Sequence, residues 1–122
     1  MTAFVPDNAA VWFEIPVSDY DRARAFYGKV LSNTLKDERE GPNPTAVFVA
    51  KDQSAVAGHV YPGQPAAPGT GITIHLAVAD LEEGLERVKA GGGIVVSPIH
   101  SIPAGRFAYC VDPDGNSFGL FN

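Results

Sequence analysis

Val17-Ser18-Asp19-Tyr20-Asp21 and Val78-Ala79-Asp80-Leu81-Glu82 are two versions of one pattern, and each stands where an alternating stretch gives way to a helical one. Residues 10–17 read Ala-Val-Trp-Phe-Glu-Ile-Pro-Val, which puts Val11, Phe13, Ile15 and Val17 on one face of a strand and Trp12, Glu14 and Pro16 on the other. Residues 71–78 repeat the arrangement, with Ile72, Ile74, Leu76 and Val78 on the apolar face and Gly71, Thr73, His75 and Ala77 opposite. Counting back from the two valines makes Glu14 the counterpart of His75 and Trp12 the counterpart of Thr73. Each module thus opens strand then helix, with one strand face left to small or polar residues.

Beyond Asp19, the spacing of Tyr20, Ala23, Tyr27, Val30 and Leu31 predicts an amphipathic helix ending near Asn33. Beyond Asp80, Leu81, Leu85 and Val88 do the same; Glu83 stands in a capping-box position, and Gly91-Gly92-Gly93 stops the helix. Short β-rich stretches follow at about 34–39, 45–50 and 54–60, then at about 94–97, 105–111 and 116–121. The order is βαβββ twice, an α+β chain of one domain covering 1–122. Module one spans about 8–60 and module two about 70–122, joined by the Pro/Gly-rich connector 61–69.

At 122 residues the chain is long enough for a proper core without staples. Its formal net charge is -5, with 9 Lys and Arg against 14 Asp and Glu, and it has no dense basic run, which argues against nucleic acid and anionic membranes as partners. The single cysteine, Cys110, offers neither an internal disulfide nor a metal cluster and reads as an inert thiol in an apolar strand. Residues 1–10 have neither a basic start nor a long apolar stretch, so the expected location is the cytoplasm.

The paired βαβββ order, Val-x-Asp before each helix, Phe26-Tyr27 in the first helix and the closing Asp112-Pro113-Asp114-Gly115-Asn116 hairpin together resemble the glyoxalase I / bleomycin-resistance / extradiol dioxygenase superfamily, the vicinal oxygen chelate proteins. Phe13-Glu14-Ile15-Pro16, residues 102–108 and residues 114–121 further resemble a branch related to lactoylglutathione lyase and mostly without assigned function. The resemblance implies sheets curled into an open, barrel-like cavity with helices outside and the ligand site inside. Metal-using members place one His or Glu ligand on the first strand and one on the last strand of each module. Carried over to this chain, the first-strand positions fall on Trp12 and Thr73 and the last-strand positions on Gly58 and Gly119, with His59 replacing Gly58 if the strand slips by one residue. Trp12, Thr73 and the two glycines cannot ligate as His or Glu would, so no metal and no other cofactor is expected.

Glu14 and His75 lie two residues beyond the first-strand ligand positions on the same strand faces. As repeat mates they are expected to approach one cavity, where a carboxylate orienting an imidazole makes a general base; the alternative is that each is a hydrogen-bonded polar residue of a half-wet barrel. A displaced site of His59, His75 and Glu14 is a further alternative, but two residues along a strand is roughly 6 to 7 Å, far beyond the tolerance of a ligand bond. His100 reads as a solvated loop residue. Trp12 and Phe121 are expected to wall the cavity, with Thr73, His59 and the space at Gly58 and Gly119 completing the ligand-binding set.

These residues predict a metal-independent, glyoxalase-like protein that binds a small organic molecule, with proton transfer (lyase- or isomerase-like) as its chemistry if it is an enzyme. The alternatives are a non-catalytic, antibiotic-sequestering protein of the bleomycin-resistance kind and a metal-dependent lyase or dioxygenase with relocated ligands. A homodimer is expected, because members commonly complete their cavities at a subunit contact and open sheet edges need covering.

Overall fold

The computed structural model describes residues 3–52 and 54–122. Its first module comprises β1 (Trp12–Val17), α1 (Tyr20–Leu31), β2 (Lys36–Glu38), β3 (Thr45–Val47) and β4 (Ala57–Pro62). The second comprises β5 (Ile74–Ala77), α2 (Leu81–Ala90), β6 (Ile94–Val95), β7 (His100–Ile102), β8 (Gly105–Val111) and β9 (Ser117–Phe121). The strand order is β1-β4-β3-β2 in one sheet and β5-β9-β8-β6 in the other, with β7 added beside β8. In each sheet the first strand runs parallel to the module's last strand, and among the described residues its other edge is unpaired. The sheets are mixed and do not close, which is the α+β architecture expected from the repeat.

The repeated aspartates act alike. Asp19 accepts a hydrogen bond from the Arg22 N–H at 3.0 Å, and Asp80 accepts one from Glu83 N–H at 2.9 Å, so each caps the helix that follows. The helices end differently. At α2 Gly91 is the cap and Gly92 adopts φ +97, whereas α1 ends at Leu31, two residues before Asn33, because Ser32 itself takes the left-handed conformation (φ 58). The strand β7 was not expected; it forms because His100, Ser101 and Ile102 pair with Phe107, Arg106 and Gly105 across a tight turn.

One core serves both modules. Val17, Tyr27, Val30, Leu35, Val60, Leu81, Val88, Phe118 and Leu120 are fully buried between the helices and the sheets, each large apolar side chain contributing roughly 1.5–3 kcal/mol by burial. Tyr27 and Phe26 of α1 meet Phe118 of β9 edge-on, with centroids 5.5 and 5.9 Å apart, so the first module's helix packs on the second module's last strand. Arg87 of α2 donates to the Val30 carbonyl at 3.0 Å and ties the helices to each other.

The turn at 112–116 is the main joint. Buried Asp112 accepts from Tyr27 Oη at 2.7 Å, from Asn116 Nδ2 at 3.0 Å, and from the Asp114 and Asn116 N–H groups at 2.9 Å each. Asn116 Nδ2 also donates to the Pro16 carbonyl at 2.9 Å, and Asp114 receives Ser18 and Arg22. Burial and the neighbouring Asp112 hold the Tyr27 hydroxyl well above its ordinary pKa. The segment is thus a structural turn, in line with its sequence.

Candidate functional site

Helices cover one face of each sheet and leave the other open. On β1, Phe13, Ile15 and Val17 turn toward the helices while Trp12 and Glu14 point away; Trp12 is 46% exposed. The parallel register sets Glu14 directly opposite His59 on β4. The Trp12 indole N–H donates to His59 Nδ1 at 3.0 Å, and His59 Nε2 lies 3.2 Å from Glu14 Oε1. The imidazole is nearly covered, whereas the Glu14 side chain is 62% exposed. Tyr61 stacks edge-on against His59 from two residues farther along β4, with centroids 5.9 Å apart.

On the second sheet the chemistry is arranged differently. His75 is paired with Gly119, and its ring lies over that glycine: a Cβ placed there would collide with the imidazole. Phe107 and Tyr109 of β8 flank it edge-on at 5.4 and 5.7 Å between centroids. His100 of β7 joins the group, 5.3 Å from Phe107 and 6.1 Å from Tyr109. Phe121 lies opposite Phe107 in the ladder, and Thr73 shares a hydroxyl hydrogen bond with Ser117. This face is therefore an aromatic platform carrying two imidazoles. Between the free edges of β1 and β5 runs a cleft of about 550 Å³, lined by Trp12, Glu14, Pro16, Ile72, Ile74 and Ser117 among others. Glu14 also borders a second hollow of about 420 Å³ with Glu38, Glu40, His59 and Tyr61.

Two expectations are corrected by this geometry. Gly58 does not line the open face: its Cβ would meet the Phe13 ring and the Phe13 carbonyl at 2.5 Å, so it lies on the helix side and leaves room for that ring. The counterpart of Gly119 is His59, because Glu14 pairs with His59 just as His75 pairs with Gly119. Within one chain, moreover, the imidazole beside Glu14 is that of His59, while His75 belongs to the other sheet. Trp12, Glu14 and His59 thus form one group; Thr73, His75, Gly119 and Phe121 share the other face. Tyr61, Phe107, Tyr109 and His100 were not singled out for the site. Alternation in 105–111 places Phe107 and Tyr109 on one face, but only the register with Gly119 brings them to His75. His100 is exposed, as expected, yet sits in a strand.

Residues 9–120 match the model of the Glyoxalase/Bleomycin resistance protein/Dioxygenase superfamily, and the chain belongs to that family. It is 29% identical over 135 residues to the anthracycline biosynthesis protein DauV of Streptomyces sp. strain C5, a match covering 99% of this chain and 49% of that protein. The chain thus spans about half the length of the curated relatives it matches. Among solved structures it is similar to a glyoxalase/bleomycin resistance protein from Streptomyces sp. CB03234, with a TM-score of 0.68 and 26% identity over 91% of this chain and 97% of that one. A protein of the same description from Albidiferax ferrireducens T118 superposes with a TM-score of 0.71 at 19% identity, over 93% of this chain and 98% of that one, a likeness of fold.

The donor set does not suit the divalent metal that the resemblance implies for metal-using members. Trp12 presents an N–H, which donates and cannot ligate; the Thr73 hydroxyl is engaged by Ser117; Gly119 has no side chain; and His59 already receives Trp12 on Nδ1. Among the described residues no three His, Cys, Asp or Glu side chains gather with metal-binding geometry. Cys110 of β8 is buried in the core, and burial pushes its thiol up to about 11, the opposite of activation. No helix among the described residues is long and apolar enough to cross a membrane.

Proposed function

We propose that this chain binds a small, flat organic molecule on the open faces of its sheets without a resident metal, and that a second copy completes the site. One observation supports this most directly: the two open faces carry complementary chemistry, an exposed carboxylate beside an indole on the first and imidazoles among aromatic rings on the second. Packing the first-module face of one copy against the second-module face of another brings Glu14 toward His75 in trans. Aromatic rings on both sides then enclose a planar ligand. The name of the relative DauV, an anthracycline biosynthesis protein, suggests the ligand class to try first.

In the catalytic form of this reading, His75 takes a proton from the ligand and returns it to another atom of the same molecule. No net proton is consumed, and Glu14 of the facing copy orients the ring. A second reading, sequestration without turnover, is favoured by the way the Trp12 N–H and His59 Nδ1 satisfy each other, which suits a binding wall better than a reacting group.

Trp12 is the chain's one tryptophan, so its fluorescence reports directly on this face. Titration with an anthracycline should quench it saturably, and light scattering should give a dimer mass. Elemental analysis should find no stoichiometric divalent metal. Unchanged fluorescence together with a monomer mass refutes the site. With binding present, loss of turnover but not of binding in His75→Ala identifies the enzyme; absence of turnover in the wild type identifies the sequestering protein.

A further inference from the structure

We infer that His59 is a positioning residue that Trp12 holds in one tautomer, so that it donates to Glu14 and presents that carboxylate to the ligand as an acceptor for a hydrogen-bond donor. The inference rests on the ligand reading above and deepens it.

An indole nitrogen carries a proton and has no lone pair to offer, so in the Trp12–His59 contact at 3.0 Å the imidazole Nδ1 must be the acceptor. A neutral imidazole has one acceptor nitrogen and one N–H; fixing Nδ1 as acceptor therefore leaves the proton on Nε2. That nitrogen faces Glu14 Oε1 at 3.2 Å. The nearly covered imidazole is held by Trp12 on Nδ1 while the carboxylate near its Nε2 stays largely exposed, so the fixed element of the group is His59 and the presented element is Glu14. With the indole N–H spent on His59 Nδ1 and His59 Nε2 lying 3.2 Å from Glu14 Oε1, the polar capacity that this group presents to a ligand is the carboxylate's remaining lone pairs, which accept only. Glu14 borders both the cleft between β1 and β5 and the hollow beside Tyr61, so a ligand in either can reach it. The recognised group is accordingly a donor, best an ammonium, since charge-assisted bonds are the stronger ones.

Glutamine can take over the task of His59, because its carbonyl accepts and its amide donates; leucine can do neither. The experiment combines ¹⁵N NMR of the free protein with binding of two probes, an anthracycline bearing its amino sugar and the same aglycone without the amine. In the wild type, His59 should show an acceptor-type Nδ1 and a protonated Nε2, and the distinction should blur in Trp12→Phe. Affinity for the amine-bearing probe should fall roughly tenfold or more in His59→Leu but stay within about threefold in His59→Gln, while the aglycone is affected by less than about threefold in both. A proton on Nδ1 in the wild type, or wild-type affinity for the amine probe in His59→Leu, overturns the inference. If the tautomer is as expected but the wild type binds neither probe, the ligand reading fails and the hold of Trp12 on His59 stands.

Discussion

The two modules share a scaffold down to the register of their first and last strands, yet they place their imidazoles on opposite members of that pair. In module one the imidazole comes from the last strand, as His59, and faces a first-strand carboxylate, Glu14. In module two it comes from the first strand, as His75, and covers a last-strand glycine, Gly119. The helix side has not diverged in this way, since both helices are capped by aspartate and both pack apolar residues on the sheets. The two modules are thus alike on the packing face and differ on the open one: module one offers a carboxylate beside an imidazole, module two an imidazole among aromatic rings.

The largest effect should fall on neither face but on the joint between the modules. Asp112→Ala removes four hydrogen-bonding contacts of a buried carboxylate and strands the Tyr27 hydroxyl, so chemical denaturation should show a loss of about 3 kcal/mol. If stability barely changes, the modules are not coupled through this turn.

Two glycines then separate the faces. A Cβ at Gly58 meets the Phe13 ring and backbone; Gly58→Ala should cost about 1 to 3 kcal/mol by overpacking while leaving the chemistry of the open face in place. A Cβ at Gly119 meets the His75 imidazole instead, a side chain that can swing out over an open surface. Gly119→Ala should therefore keep most of its stability, shift the His75 ring signals in NMR and weaken ligand binding; with leucine there, binding should disappear. Equal losses of stability at the two positions would erase the distinction between the faces.

A smaller effect belongs to module two alone. Arg106 of β8 makes a two-pronged contact to Glu82 of α2 at 2.8 and 3.0 Å, and its guanidinium draws the Glu82 carboxyl down to about 2. A carboxyl whose folded value is depressed stabilises above its ordinary value and loses that contribution as pH falls through the depressed one. The melting-temperature gap between wild type and Arg106→Gln should thus be full at pH 5 and close toward pH 2, by a modest amount because the pair is exposed. A gap that is constant over this range would show that the pair contributes through packing.

What could be read from the sequence was local. Strand faces, helix caps, the glycine stop after α2 and the closing turn follow from periodicities and residue chemistry within a few positions. Membership of the family rested on the same signals. What could not be read was register. Residues 54–60, Ser-Ala-Val-Ala-Gly-His-Val, alternate weakly, so the sequence leaves Gly58 and His59 interchangeable; the pairing of β4 with β1 separates them, because glycine at 58 leaves room for the Phe13 ring. The pairing of Glu14 with His59, and the gathering of His100, Phe107 and Tyr109 around His75, likewise depend on which strands lie side by side.

The turn at 112–116 also shapes how the protein comes into being. Its bonds to Tyr27, Ser18 and Pro16 join residues 85, 96 and 100 positions apart. Contacts between such distant positions slow folding, since the entropy of closing long loops is lost before the contacts form. During synthesis the first module leaves the ribosome long before Asp112 and Asn116 exist. Until then the Tyr27 hydroxyl and the Pro16 carbonyl lack their final partners, and the α1 surface that receives Phe118 is uncovered. The order of translation therefore sets a waiting period in which these groups of module one stay without their final partners, and it ends only when the last hairpin emerges.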